Sequence, residues 1–206
     1  MVYDRTCATR GVGLSTAWFS GALLYRGLRR LDATFGAASW DEALWWLATY
    51  ERSRPIAEIQ YWGHGRWGQV LVAEDSFDRR MLSPGHPRHA RLLAVRDRLL
   101  PDAGSLFWLR TCEAFGARAG VDFAARLADT LGARVAGHTF VIGAVQSGLR
   151  ALSPGHAPTW SPEEGIAEGT AEEPVRAHGS RPWRPRTITC LSNEVPSGWL
   201  AADSGA

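Results

Sequence analysis

Lysine is absent from this 206-residue chain, all 23 of its basic residues are arginine, and Asn193 is its single asparagine. A gene rich in G and C accounts for the bias, but the absence has chemical consequences. No lysine can form a Schiff base, and no phosphate-binding loop can carry its usual lysine. Cysteine is scarce too. Cys7, Cys112 and Cys190 are an odd number without a Cys-x-x-Cys pair, which excludes a disulfide framework and a structural zinc finger. Free thiols of this kind belong in a reducing compartment, so a cytoplasmic location is expected. No His-Glu-x-x-His string is present, and neither a metal nor a cofactor is expected. The apolar stretch over residues 12–25 is too short to span a bilayer and lacks a cleavage pattern after a charged start, so it reads as a buried helix. Net charge is only +2, with no basic stripe interleaved with aromatics, and neither nucleic acid nor a membrane is expected as a partner. Gly11-Val12-Gly13 lacks the rest of the dinucleotide-binding glycine fingerprint.

What is present is a chain with a 45% hydrophobic fraction and ordinary charge, enough for one sizeable core. Apolar runs predict strands at 2–7, 30–35, 56–62, 105–112 and 134–144. Between them, helical spacing predicts a helix at 15–29 with Trp18, Phe19, Leu23 and Leu24 on its apolar face. A second, to residue 51, is capped by Ser39 with Glu42 three places on and buries Leu44, Trp45 and Leu47. Others follow at 89–100 and at 117–131, the latter closed by Gly132. After His64-Gly65 a small hairpin leaves the sheet, with residues 69–74 as its extended return. Strands alternating with helices imply an α/β fold with a mainly parallel, doubly wound sheet covered on both faces. Beyond residue 153 the texture changes: seven of the eleven prolines lie there. Residues 1–152 therefore read as the main domain, and 153–206 as an irregular Pro- and Gly-rich C-terminal extension packed on it. An edge strand is expected near 187–191, with Trp160, Trp183 and Trp199 pinning the tail.

Two strings carry the chemistry. Tyr61-Trp62-Gly63-His64-Gly65 ends one apolar run, and Leu106-Phe107-Trp108-Leu109-Arg110-Thr111-Cys112 ends another. If the strands are parallel neighbours, an imidazole and a thiol emerge at the same sheet edge, where ligands bind in open α/β sheets. A thiol needs ionisation or a proton acceptor to act as a nucleophile, and a histidine supplies it. Gly65 lets the backbone approach a carbonyl closely, and its N–H with that of Cys112 can form an oxyanion hole worth about 2.7–4 kcal/mol per donor. Trp62 and Trp67 flank His64 and can wall a substrate groove. His138 can line the cleft or serve as a structural hydrogen-bonding residue. Glu113 would favour a basic substrate residue and Arg110 an acidic one, although both residue types more commonly sit on the surface or in ion pairs. Cys7 and Cys190 read as buried and unreactive.

On these motifs the chain resembles the caspase-like (clan CD) cysteine peptidases, whose shared signature is an apolar run ending in His-Gly and a later one ending in a nucleophilic Cys. It is most similar to a bacterial caspase-like domain found beside adhesin repeats, through His64-Gly65, Gly68, Cys112, Gly116, Gly120, Phe123, Leu127-Ala128 and Leu131-Gly132-Ala133. The resemblance spans about residues 1–150 and implies a three-layer caspase-like sandwich. It also implies a hydrolase of the thiol-protease type acting on a protein or peptide substrate, with self-cleavage placed in segments 76–90 or 153–185. In that family pattern Cys112 attacks the scissile carbonyl, His64 protonates the leaving amine, and Gly65 with Cys112 supplies the oxyanion N–H groups. The caspase string Gln-Ala-Cys-Arg-Gly is replaced here by Arg110-Thr111-Cys112-Glu113-Ala114, so caspase specificity for aspartate does not carry over. Two alternatives stand beside this reading: a non-catalytic caspase-like module that binds a partner protein, and an unrelated flavodoxin-like domain that binds a small molecule. The oligomeric state is left open.

Overall fold

A computed structural model describes residues 1–7 and 13–201; Gly11 and Val12 of the short glycine string lie outside them. In chain order the elements are β1 (Val2–Asp4), α1 (Leu14–Gly27), β2 (Phe35–Ala37), α2 (Trp40–Thr49), β3 (Glu58–Trp62), β4 (His64–Arg66), β5 (Gln69–Val72) and β6 (Asp75–Asp78). Then come α3 (His89–Arg96), β7 (Leu106–Arg110), α4 (Ala117–Leu131), β8 (Arg134–His138), β9 (Val145–Gln146), β10 (Leu149–Leu152), β11 (Ile166–Gly169), β12 (Pro174–Ala177), β13 (Ile188–Thr189) and α5 (Ser197–Ala201). The strands β10-β8-β7-β3-β1-β2, in that spatial order, make one six-stranded sheet. All neighbours are parallel except β10, which runs antiparallel to β8. The protein is thus mixed α/β with a mostly parallel sheet, as the alternating pattern predicts.

Side-chain alternation sorts the core into two layers. Ile59, Tyr61, Phe107, Leu109 and Val135 face one side, where they pack with Leu44 and Leu47 of α2, Leu92 and Val95 of α3, and Phe123 and Leu127 of α4. On the other side Leu106, Trp108 and Ala136 meet Ile188, Val195 and Trp199, while Trp62 packs against Ala22 and Tyr25 of α1. The chain beyond residue 153 therefore supplies much of the second cover. Local signals hold at the helix ends. Ser39 accepts a hydrogen bond from the Glu42 N–H at 3.2 Å, the Glu42 carboxylate accepts from the Ala38 N–H at 2.9 Å, and Gly132 closes α4 in the left-handed region at φ 58°.

Several expectations need correcting. On α1 the buried side chains are Ser15, Ala22 and Tyr25, whereas Phe19, Leu23 and Leu24 are exposed. The buried face there is chosen by Tyr25, whose hydroxyl donates to the Cys190 carbonyl at 2.6 Å and whose ring meets Trp62 edge-on. Trp45 is exposed, and its neighbour Trp46 instead stacks on Phe35 at 5.2 Å. The run at 134–144 stops being a strand at His138, because the next N–H groups go elsewhere: Thr139 to Gly148 and Val141 to His178. The segment near 188 does not extend the main sheet; β13 pairs antiparallel with β9 in a separate ribbon. Trp160 is buried and Trp199 packs on the core, but Trp183 is exposed. Among the described residues no helix is long and apolar enough to cross a membrane.

Candidate active site

The register of the central strands puts the two predicted residues just beyond the carboxyl ends of neighbouring parallel strands. β3 and β7 pair in parallel with Trp62 opposite Arg110. His64 and Cys112 each follow two residues later, His64 as the first residue of β4 and Cys112 in the turn after β7. On the other flank of β3, Tyr3 pairs with Trp62, so the chain leaving β1 delivers Cys7 to the same edge. Adjacent strands β7, β3 and β1 thus present a thiol, an imidazole and a second thiol at their carboxyl ends, the ligand-binding edge of such sheets.

The imidazole of His64 is exposed and edge-on to Trp18, with ring centres 5.7 Å apart. Its Nε2 lies 3.1 Å from Cys7 Sγ. No hydrogen bond joins it to Cys112. The half-buried Cys112 sulfur instead accepts from the Ile142 N–H at 3.4 Å. Burial pushes the Cys112 thiol up from its ordinary value; the Ile142 N–H opposes this and the charge of Glu113 adds to it. Cys7, expected to be inert, is therefore the thiol that meets the histidine. The signal in the sequence was weak: Asp4, Arg5 and Thr6 separate Cys7 from the apolar Met1-Val2-Tyr3.

β4 passes very close to the Cys112 turn. A Cβ on Gly65 would sit 2.5 Å from Thr111 Oγ1 and 2.7 Å from the Cys112 carbonyl oxygen, so only glycine fits there. The Cys112 N–H has no backbone acceptor among the described residues. Beyond the thiol the turn is held in sparsely populated backbone, with Glu113 at φ 31° and Ala117 at φ 59°. It is braced by Glu113 N–H to Phe140 O, Phe115 N–H to His138 O and Gly68 N–H to Ala114 O, each at 3.0 Å. Trp160 stacks on Phe115 and donates to its carbonyl.

Three polar atoms around Cys112 are buried without a partner: Thr111 Oγ1, Glu113 Oε2 and Trp67 Nε1. Burial pushes the Glu113 carboxyl up to about 7, against the opposing charge of Arg66, which lies over the half-buried Trp67 ring at 5.1 Å. Arg110 is buried, not a surface residue. Its guanidinium lies between the Trp62 and Trp108 rings (4.5 and 4.3 Å) and donates to Gln146 Oε1, Tyr25 Oη and the carbonyls of Thr189, Cys190 and Ser192. Trp62 is buried too, with Nε1 donating to Gln60 at 3.0 Å, so it does not wall a groove.

His138 is completely buried, away from any cleft, with Nδ1 3.0 Å from the Ser147 carbonyl and Nε2 unpartnered. Donation to that carbonyl places the proton on Nδ1. Burial lowers its pKa from 6.5 to about 3. The folded state therefore disfavours the charged ring, and the associated stability is present above pH 6.5 and is lost as pH falls towards 3. In His138→Asn the amide N–H can replace the Nδ1–H without titrating. Urea midpoints measured at about pH 7 and about pH 4 should fall more on acidification for wild type than for this variant. Glu113 acts with the opposite sign but is common to both proteins and cancels in the difference.

Among the described residues no group of three or more His, Cys, Asp or Glu side chains could hold a metal ion. A cavity of about 290 Å³, lined by Leu31, Trp46, Tyr50, Arg54 and Glu58 among others, lies at the opposite, amino-terminal edge of β3. No protein-family model matches the chain, and neither do curated proteins or solved structures.

Proposed function

We propose that this chain is a caspase-like cysteine endopeptidase with the three-layer sandwich of that superfamily and residues 153–206 as an extension on one domain. The observation that supports the reading is the parallel, in-register pairing of β3 with β7, each of which is followed two residues on by one of the candidate residues, His64 or Cys112. A substrate peptide lying between them needs no direct thiol–imidazole bond. Cys112 Sγ attacks the scissile carbonyl, its proton passing to His64. The N–H groups of Gly65 and Cys112 stabilise the oxyanion. The imidazole then protonates the departing amine, leaving a thioester that water hydrolyses. An exposed imidazole on an open rim suits a polymer such as a cytoplasmic protein or peptide, and the chemistry requires no cofactor.

The 3.1 Å contact of Cys7 with His64 favours a second reading, in which Cys7 is the nucleophile. Both are tested by incubating freshly reduced protein with a random peptide library and sequencing the new termini by mass spectrometry. The expected result is a set of cuts sharing a residue preference and abolished by prior alkylation. An untouched library would leave the non-catalytic binding module as the function.

A further inference from the structure

Two charged side chains near the candidate nucleophile could select a substrate, and their surroundings differ. Arg110 is fully engaged by two indole rings, a glutamine, a tyrosine hydroxyl and three backbone carbonyls, and has no free hydrogen-bonding direction for a ligand. Glu113 is the reverse. Among the described residues it makes no ion pair and no side-chain hydrogen bond, and its Oε2 is buried without a partner in a half-buried residue. A buried acceptor left unpaired costs about 1–3 kcal/mol. A left-handed backbone at a non-glycine residue adds to that cost, and both persist only where the surroundings enforce them. Here the turn is fixed on three sides by Phe140, His138 and Trp160.

We propose that Glu113 is the acceptor for a cationic side chain of the substrate, lysine or arginine, seated beside Cys112. The inference rests on Cys112 being the nucleophile. An incoming cation supplies the missing donor to Oε2, and the charge of the exposed Arg66 acts on the carboxyl with no ion pair between the two among the described residues. Trp67 lies next to the same turn, its Cδ1 3.4 Å from where a Gly116 Cβ would be, and offers an apolar ring to the stem of a long basic side chain. Pairing Glu113 also has a consequence at sulfur. The carboxylate's charge helps hold the Cys112 thiol protonated, so neutralising it with substrate favours the thiolate once the right side chain is bound.

The experiment compares two peptidyl acyloxymethyl ketones that differ only in lysine or norleucine beside the reactive carbonyl. Cys112 sulfur forms a bond to the methylene carbon, the carboxylate leaves, and the thiol proton goes to solvent. Modification is followed by intact mass and peptide mapping. Wild type should be modified at Cys112 about tenfold faster by the lysine probe, with Glu113→Gln losing most of that preference. Equal rates for the two probes on wild type, which need no variant, would overturn the subsite while leaving the thiol reading intact. No modification of Cys112 by either probe, in protein whose Cys7 or Cys190 reacts with iodoacetamide, would overturn both.

Discussion

Exchanging Cys112 for alanine will reduce cleavage of the library-derived peptide to background, and His64→Ala will lower kcat/KM by about 100- to 10,000-fold, the range of a positioned general acid–base. Neither change should disturb the fold. The imidazole is exposed, and the Cys112 sulfur exchanges only a weak bond with the Ile142 backbone. Thermal midpoints within a degree or two of wild type are the control. Cys7→Ala is the informative third variant. It removes the partner now facing His64 Nε2, leaving the ring free to turn to substrate, so activity should persist. If instead Cys7→Ala is the variant that falls to background while Cys112→Ala retains turnover, the nucleophile is the thiol just beyond β1. If all three retain it, the cleavage does not belong to this site.

Arg110→Met will destabilise the protein by about 3 kcal/mol, buried acceptors left unpaired at about 1–3 kcal/mol each being partly offset by relief of the guanidinium's desolvation, seen as a lower urea midpoint with an unchanged slope. Methionine replaces the stem of the side chain but none of its five hydrogen-bonding partners. Gln146 Oε1, Tyr25 Oη and three carbonyls of residues 189–192 would lose a charged donor in a place where water has little access. Two indole rings would lose the cation between them. The contrast is Arg118→Ala, which breaks an exposed pair with Glu172 at 2.8 Å and should cost no more than about 0.5 kcal/mol. A loss below about 1 kcal/mol for Arg110→Met would mean that the segment around Ile188–Thr189 is held by its apolar contacts alone.

The sheet and most helices were legible because their signals are local. A continuous apolar run marks a strand covered on both faces, and α4 shows helical spacing, a glycine C-cap and no interruption. That His64 and Cys112 follow neighbouring parallel strands was legible for the same reason, since each residue comes just after such a run. What sequence could not show is what depends on contacts between distant segments. The apolar face of α1 is decided by Tyr25 meeting Cys190 across the chain. The choice between Trp45 and Trp46 is decided by where Phe35 lies. Arg110 looks like any charged residue at the end of a strand until three carbonyls from near the end of the described chain converge on it. Cys7 lies beyond β1, whose place between β2 and β3 is set by pairings with distant segments.

That insertion has a cost in time. β1 is made early but lies between β2 and β3, and its register partner Tyr61 is far along the chain. During synthesis the opening strand must wait, unpaired along one side, until the His64 segment has left the ribosome, and the Cys112 strand emerges later still. No early fragment can hold the three side chains in place, so the rim that carries them is assembled only when the whole central sheet has closed.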